Sequence, residues 1–133
     1  MKFKYKKYGP EVLRPVIEIK VKSGDKAFGY HVLVDSGADI CLFHAEVGEA
    51  LGIDIKKGKR EIVTGVGGKS SEYFLHKLEI EVGGWSYEIP VGFLPDIGTR
   101  SILYGIVGQK GFFENFKVSF DLPKEEIEII KKK

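Results

Sequence analysis

The sequence contains only one cysteine, Cys41, among its 133 residues. A single thiol excludes a disulfide within the chain, and it excludes cysteine-rich zinc sites. Low cysteine content is typical of proteins from reducing compartments, so we expect a cytoplasmic protein.

Long apolar runs are also missing. The longest, such as residues 30–34, fall far short of the roughly 18 residues that a membrane-spanning helix requires. The N-terminus carries lysines with no continuous apolar segment behind them, which makes it a poor secretory signal. We therefore expect no membrane partner.

Neither sign of charge is in large excess: 21 lysines and arginines stand against 19 aspartates and glutamates, for a net charge of +2. We expect no nucleic-acid partner, because nucleic-acid-binding domains usually carry a strong basic imbalance. With 43% hydrophobic and 30% charged residues, the composition is that of a globular protein. The length fits one domain, residues 1–133, with a core over about residues 15–130 and an N-terminal segment 1–14.

Glycine is abundant, with 17 residues, about twice its usual share. Many glycines separate short segments in which apolar and polar residues alternate, which is typical of β-strands. The alternating or apolar segments are residues 17–21, 30–34, 60–64, 71–82, 85–89, 101–104, 118–120 and 127–130. Helical spacing predicts short helices at residues 45–51 and 109–116, and a loop is expected at residues 95–98. The sequence thus predicts a mainly β fold of about eight short strands.

The long segment at residues 71–82 changes phase along its length. Tyr73 and Leu75 are in one phase, whereas Leu78 and Ile80 are in the other. A bulge or bend near residues 76–77 would reconcile the two phases.

A carboxylate follows the apolar segment at residues 30–34. Asp35 comes directly after it and precedes Ser36 and Gly37. Charged side chains avoid the interior unless they are paired or functional, so this position is a candidate active-site loop. The same three residues are also ordinary turn formers, and a simple turn stays open as an alternative.

The motif at residues 35–38, Asp-Ser-Gly-Ala, resembles the catalytic motif of retropepsin-like aspartic proteases. The following elements are similar in order: a short helix, then a hairpin with a glycine-rich tip at residues 65–68, where that family has its flap. Residues 106–108, Ile-Val-Gly, resemble the family's second signature, and residues 108–121 resemble the C-terminal part of small bacterial and archaeal members. The resemblance covers about residues 15–130 and implies a closed β-barrel of the retropepsin type with one or two short helices.

The resemblance also implies an activity, the hydrolysis of peptide bonds by a pair of aspartates that activate a water. Asp35 would be catalytic, with Ser36 and Gly37 in the active-site loop and no metal or cofactor required. None of the other five aspartates is followed by Ser-Gly or Thr-Gly. One chain therefore supplies one catalytic carboxylate, so we expect a homodimer in which two-fold symmetry brings Asp35 against its own copy. Ser36 would reach across the axis to the partner's loop.

Several further residues would bind a peptide or protein substrate, according to the same resemblance. They are Ala38, Asp39, Gly65, Val66, Gly67 and Gly68. Closure of a hairpin is the simpler explanation of the four residues 65–68, and we favour a mobile tip above the cleft because so little side chain is there to pack. A phosphate cradle is disfavoured because Lys69 and Ser70 lack the required spacing.

One departure from the family pattern concerns the residue after the second signature. Retroviral members have an arginine there that pairs with the aspartate equivalent to Asp39, whereas this chain has Gln109. An amide cannot form a bidentate ion pair. Either a hydrogen bond from Gln109 replaces the pair, or Arg100 or Lys110 substitutes.

Other readings of the sequence remain open. His44 and Cys41 could contribute to a metal site, but two ligands do not make a tetrahedral site, so Cys41 is expected to pack with its apolar neighbours. The alternative function is a non-proteolytic module of the same fold that binds protein or nucleic acid. Two features would suit it: Gln109 breaks the family's ion-pair pattern, and no controlling prodomain or partner domain is expected.

The termini are rich in lysine, which predicts solvated faces and frayed ends. In the family the chain termini often interleave at the dimer interface. Residues 127–130 are the better candidate for such pairing, since lysine-rich ends resist edge-to-edge pairing.

Overall fold

Most of the chain forms β-strands, in keeping with the alternation of its sequence. A computed structural model describes residues 1–65, 67–95 and 104–132. The strands are β1 (Lys2–Lys4), β2 (Lys6–Lys7), β3 (Leu13–Arg14), β4 (Val16–Ser23), β5 (Lys26–Val34), β6 (Cys41–His44), β7 (Lys59–Thr64), β8 (Ser70–Val82), β9 (Trp85–Leu94), β10 (Gly105–Val107), β11 (Phe116–Asp121) and β12 (Glu126–Lys131). Three expectations lie outside the described residues: most of the loop at 95–98, most of the segment at 101–104, and the placement of Val66 and Arg100.

Six strands close into a barrel. Their order is β4, β5, β10, β6, β9 and β8, and pairing of β8 with β4 completes the ring. Across this closing seam Val21 lies opposite Ile80, and the Lys22 Nζ is 2.6 Å from the Glu81 Oε1. Strand β7 extends the sheet along the free part of β8. The predicted mainly β fold with a closed barrel is thus confirmed.

The alternation of apolar and polar residues in β4, the first long strand, places its apolar side chains in the barrel interior. Ile17, Ile19 and Val21 of β4 are at most 2% exposed, whereas Glu18 and Lys20 point to solvent. Since successive side chains of a strand face opposite sides of a sheet, the apolar set forms one wall of the core. Strand β5 follows after a tight turn and carries the chain to the candidate active-site loop.

The bulge suggested near residues 76–77 of β8 is wrong. Strand β8 pairs with β9 in one continuous antiparallel register from Phe74 to Val82. Phe74 and Leu78 are both buried, so the inward face keeps its period of two through His76. The apparent change of phase arises because Tyr73 lies on the outward face of β8, where it lines a groove described below.

The helical segments are short. Helix α1 (Ala45–Ala50) matches the helix predicted at residues 45–51, and a 3₁₀ turn follows at Ile55–Lys57. The second predicted helix, residues 109–116, is limited to an irregular π-type turn at Gln109–Phe113, because Gly111 has a φ of +95° that a helix cannot continue through. No helix in the described ranges is long and apolar enough to cross a membrane.

The two ends of the chain form a three-stranded sheet in the order β1, β12, β11. The expectation of a frayed N-terminus is wrong, because Lys2 and Lys4 of β1 lie opposite Glu128 and Glu126 of β12. Opposite charges on facing positions stabilise this pairing, and the Lys4 Nζ is 3.5 Å from the Glu126 Oε2. The expectation that residues 127–130 pair with another chain is wrong for 127–129. Strand β11 lies along the whole of one edge of β12, and residues 1–4 lie along 126–129 of the other edge.

Candidate active site

Asp35 lies in the loop that joins β5 to β6. The main-chain N–H of Asp35 donates a hydrogen bond to the Val107 carbonyl at 3.0 Å, which extends the parallel pairing of β5 with β10 by one residue. The Gly37 N–H donates to the Asp35 Oδ1 at 2.9 Å. The carboxylate is therefore oriented by its own loop, at a position that is only partly buried.

Gln109 and Lys110, which follow β10, hold the Asp35 loop through hydrogen bonds. The Gln109 N–H donates to the Ala38 carbonyl at 2.8 Å, and the Lys110 N–H donates to the Asp39 carbonyl at 3.0 Å. The side-chain amide of Gln109 donates to the Ser36 carbonyl. Three hydrogen bonds thus join two segments about 70 residues apart in sequence.

Gly108 allows this close approach. A Cβ at this position would lie 2.5 Å from the Ala38 carbonyl oxygen and 2.6 Å from that of Ile40. Contacts so short with main-chain atoms could be relieved only by moving the loop. The Ile-Val-Gly motif therefore ends in glycine for a steric reason.

Cys41 is buried beneath the same loop. Its Sγ accepts a hydrogen bond from the Gly108 N–H and donates one to the Lys110 carbonyl, each at 3.4 Å. Burial raises the pKa of this thiol to about 11, so it stays protonated near neutral pH. These contacts make Cys41 a structural link in the core, as the sequence predicts, and an ineffective nucleophile.

Two of the histidines have separate partners. The His44 Nδ1 is 2.6 Å from the Tyr30 hydroxyl, and the His76 Nε2 is 2.8 Å from the Ile55 carbonyl oxygen. Within the described residues, no three side chains of His, Cys, Asp or Glu converge where they could hold a metal ion.

A groove of about 480 Å³ lies between the Asp35 loop and the β7–β8 hairpin. Its lining residues are Gly37, Ala38, Asp39, Ile40, Leu42, Ile62, Val63, Thr64 and Tyr73. Sequence reasoning placed the first three here and missed the others. Ile62 of β7 was missed because it matches the apolar pattern of a strand, whereas the structure shows it to be 59% exposed beside the groove.

The hairpin predicted from the glycine-rich segment is confirmed. Strands β7 and β8 pair antiparallel, and the Gly65 N–H donates to the Lys69 carbonyl at 2.9 Å to close the tip. Gly67 and Gly68 have φ values of +90° and +80°, and no other atom comes within 4 Å of a Cβ built on either. Gly65, Gly67 and Gly68 are thus exposed at the end of the hairpin, beyond the residues that line the groove.

Asp39 is exposed at the edge of the groove, and no residue in the described part of the chain forms an ion pair with it. Of the alternatives predicted for its partner, Gln109 does make a hydrogen bond, but to Ser36 instead. Lys110 reaches Asp39 only through its main-chain N–H. Arg100 lies outside the described residues.

Known proteins share this fold. A retropepsin-like aspartic protease from Rickettsia conorii superposes with a TM-score of 0.67 and 19% sequence identity, covering 98% of this chain and 97% of that one. The EIAV protease in complex with the inhibitor HBY-793 gives a TM-score of 0.54 and 22% identity, covering 77% and 88% of the two chains. At these identities the similarity establishes the retropepsin-like fold.

The family itself is established by sequence. No curated protein matches the chain. A family model described as aspartyl protease, however, matches residues 18–110, which is more than half of the chain and includes both the Asp35 loop and Gly108. The chain therefore belongs to the retropepsin-like aspartyl protease family.

Proposed function

We propose that the protein is a homodimeric aspartic endopeptidase in which each chain supplies one catalytic carboxylate, Asp35. The observation that supports this most directly is the Asp35 carboxylate, which accepts a hydrogen bond from the Gly37 N–H in a loop that Gln109 holds and whose next residues, 37–39, line the groove. A pair of such loops about a two-fold axis would complete the site that a single chain leaves half built.

The chemistry follows from the behaviour of two carboxylates held about 3 Å apart, which cannot both ionise and so share one proton. The ionised Asp35 removes a proton from a bound water, and the resulting hydroxide attacks the carbonyl carbon of the peptide. The protonated copy donates its proton to the carbonyl oxygen, which gives a neutral tetrahedral intermediate. In its collapse the C–N bond breaks as the leaving nitrogen takes the proton of the now protonated Asp35, and one hydroxyl of the intermediate gives its proton to the ionised copy, which re-forms the carbonyl and restores the shared proton.

The remaining residues of the loop would bind the substrate. Ala38 and Asp39 line the groove, where the exposed Asp39 carboxylate can accept hydrogen bonds from peptide N–H groups. Ser36 is exposed, and its hydroxyl has no hydrogen-bond partner within the described residues, so it is available to the partner's loop. Gly65, Gly67 and Gly68 of the hairpin tip, with Val66 between them in the sequence, would cover the bound peptide as a flap.

Substitution of the proposed catalytic group tests the function. Asp35→Asn should abolish cleavage of a peptide library at both acid and neutral pH. The fold should persist, since the asparagine Oδ1 can still accept the Gly37 N–H. Asp25→Asn, which changes an aspartate exposed in the β4–β5 turn, is the matched control and should cleave at the wild-type rate.

Wild-type cleavage that is lost in Asp35→Asn and blocked by an aspartic-protease inhibitor would support the proposal. Cleavage that survives the substitution would remove Asp35 from the mechanism. If the folded wild-type dimer cleaves no peptide in the library, the alternative of a non-proteolytic binding module would replace the endopeptidase.

A further inference from the structure

The turn at Gln109–Phe113, which holds the Asp35 loop, is irregular in its middle. Lys110 has backbone angles φ −76° and ψ 125°, and Gly111 has φ +95° and ψ −46°. A turn whose middle leaves the helical region lacks the repeating main-chain hydrogen bonds that keep a helix in shape. Other contacts are therefore needed to fix its conformation.

Two side chains that follow the turn bind the main chain of Gly111. The Gly111 N–H donates a hydrogen bond to the Glu114 Oε1 at 2.7 Å, and the Asn115 Nδ2 donates one to the Gly111 carbonyl at 2.6 Å. The bond to the carboxylate is charge-assisted, which makes it stronger than a bond between neutral groups. Because Gly111 is buried, water would not readily replace either partner. We call Glu114 and Asn115 the Gly111 clamp.

The residues around the clamp are themselves fixed. The Asn115 carbonyl accepts a hydrogen bond from the Lys132 N–H at 2.9 Å. Phe112 and Phe116, which flank the clamp in sequence, are 0% and 3% exposed, and their ring centroids are 5.0 Å apart. The clamp therefore joins Gly111 to a part of the chain that is packed into the core.

The clamp reaches the Asp35 loop through one peptide group. The Gly111 N–H that binds Glu114 belongs to the same planar peptide group as the Lys110 carbonyl, which accepts the hydrogen bond from the Cys41 Sγ. The N–H of Lys110 donates to the Asp39 carbonyl of the loop. Rotation of this peptide group would break the contact with Cys41 and shift the residue that binds the loop.

We propose that Glu114 and Asn115 are positioning residues for Asp35. Through Gly111 they fix the conformation of Gln109 and Lys110, whose hydrogen bonds hold the loop that carries the catalytic carboxylate. The inference rests on the proposed function, and it extends the machinery of that function to two residues that act through the main chain of the turn.

Substitution of each side chain tests the role of the clamp. Glu114→Ala and Asn115→Ala each remove one hydrogen bond to Gly111. Each should lower kcat about fivefold, the factor that corresponds to one hydrogen bond, and leave KM within about twofold of wild type because the lining of the groove is unchanged. Glu11→Ala, at an exposed glutamate between β2 and β3, is the control and should cleave at the wild-type rate.

Conservative variants separate the hydrogen bonds from packing. Glu114→Gln keeps an oxygen that accepts the Gly111 N–H, so it should recover most of the kcat that Glu114→Ala loses. Asn115→Asp keeps the shape of the side chain but has no donor for the Gly111 carbonyl, so its kcat should fall at least as far as that of Asn115→Ala.

Hydrogen exchange measures the position of the loop without any need for activity. Loss of either clamp residue should speed exchange at the Gln109 and Lys110 amides, which donate to the Asp35 loop. Amides in the pairing of β8 with β9 report on global stability, and their exchange should change much less. A general loss of stability would instead speed exchange in both places by the same factor.

The outcomes distinguish the clamp from the function on which it rests. Wild-type kcat in Glu114→Ala and Asn115→Ala, unchanged exchange at Gln109 and Lys110, or an equal rise of exchange across the barrel would overturn the clamp while the endopeptidase stands. A wild-type chain that cleaves no peptide would overturn the proposed function, and the exchange rates alone would then decide whether the clamp holds the loop.

Discussion

The side-chain amide of Gln109 donates a hydrogen bond to the main-chain carbonyl of Ser36, the residue that follows the candidate catalytic aspartate. The arginine expected from the family pattern would have acted through charge, on Asp39. The Gln109 side chain instead binds the backbone of the Asp35 loop. The main-chain N–H of the same residue donates to the Ala38 carbonyl. Support of the loop is therefore retained while the carboxylate of Asp39 stays available.

Removal of this contact should affect the loop more than the barrel. Gln109→Ala should lower the free energy of unfolding by about 1 kcal/mol, the usual contribution of one hydrogen bond, and reduce kcat because the Asp35 carboxylate is less well positioned. Denaturant unfolding and peptide cleavage measure the two effects. Lys110→Ala is the matched control, because its main-chain bond to Asp39 persists. Equal kcat in Gln109→Ala and wild type would show that the contact does not position the site.

The buried thiol predicts a dependence of stability on alkaline pH. Burial raises the pKa of Cys41 from its ordinary value of 9.0 to about 11, so between these values the unfolded chain loses a proton that the folded chain keeps. The contribution is fully present below pH 9 and is lost as pH rises towards 11, on the order of 3 kcal/mol in total, since one pKa unit corresponds to about 1.4 kcal/mol.

Comparison with Cys41→Ala isolates this contribution from other alkaline titrations. The free energy of unfolding of wild type should fall more steeply between pH 9 and pH 11 than that of the variant. The native thiol should also resist alkylation at pH 8 until the protein is unfolded. Parallel pH profiles, or rapid alkylation of the folded protein, would contradict the buried, protonated state.

The groove beside the active-site loop predicts a preference for apolar side chains. Ile62→Ser should reduce kcat/KM about tenfold for peptides that place a large apolar residue there, since burial of such a side chain contributes about 1–3 kcal/mol. Stability should change little, because Ile62 is 59% exposed. Val12→Ser, at an exposed apolar position away from the groove, is the control. An equal loss for peptides with polar side chains would show that Ile62 does not select the substrate.

The sequence predicted correctly those features that depend on a local residue pattern or on a short motif. The alternation of Ile17, Ile19 and Val21 predicted a strand with one buried face, and the carboxylate after residues 30–34 marked the loop that the structure sets beside the groove. The closed barrel came from the resemblance, since pairing of β4 with β8 joins segments about 60 residues apart that no local pattern connects.

The errors have one physical origin, which is that neighbours in space decide what a strand or turn does. Lys2 and Lys4 were expected to prevent strand pairing, but Glu128 and Glu126 lie opposite them and balance their charge. Residues 127–129 were expected to be available for pairing with another chain, but residues 1–4 and β11 pair with them on the two sides. The catalytic pair, the role of the hairpin tip, the domain boundaries and the cytoplasmic location stay predictions.

The central claim is that two chains share one active site, and mixing of subunits tests it most directly. Wild-type chains are combined with Asp35→Asn chains at constant total concentration, allowed to exchange, and assayed for peptide cleavage. If both carboxylates are required, activity should follow the square of the wild-type fraction, so an equal mixture should retain about a quarter of the activity. Activity that falls in direct proportion to the wild-type fraction would show that each chain works alone.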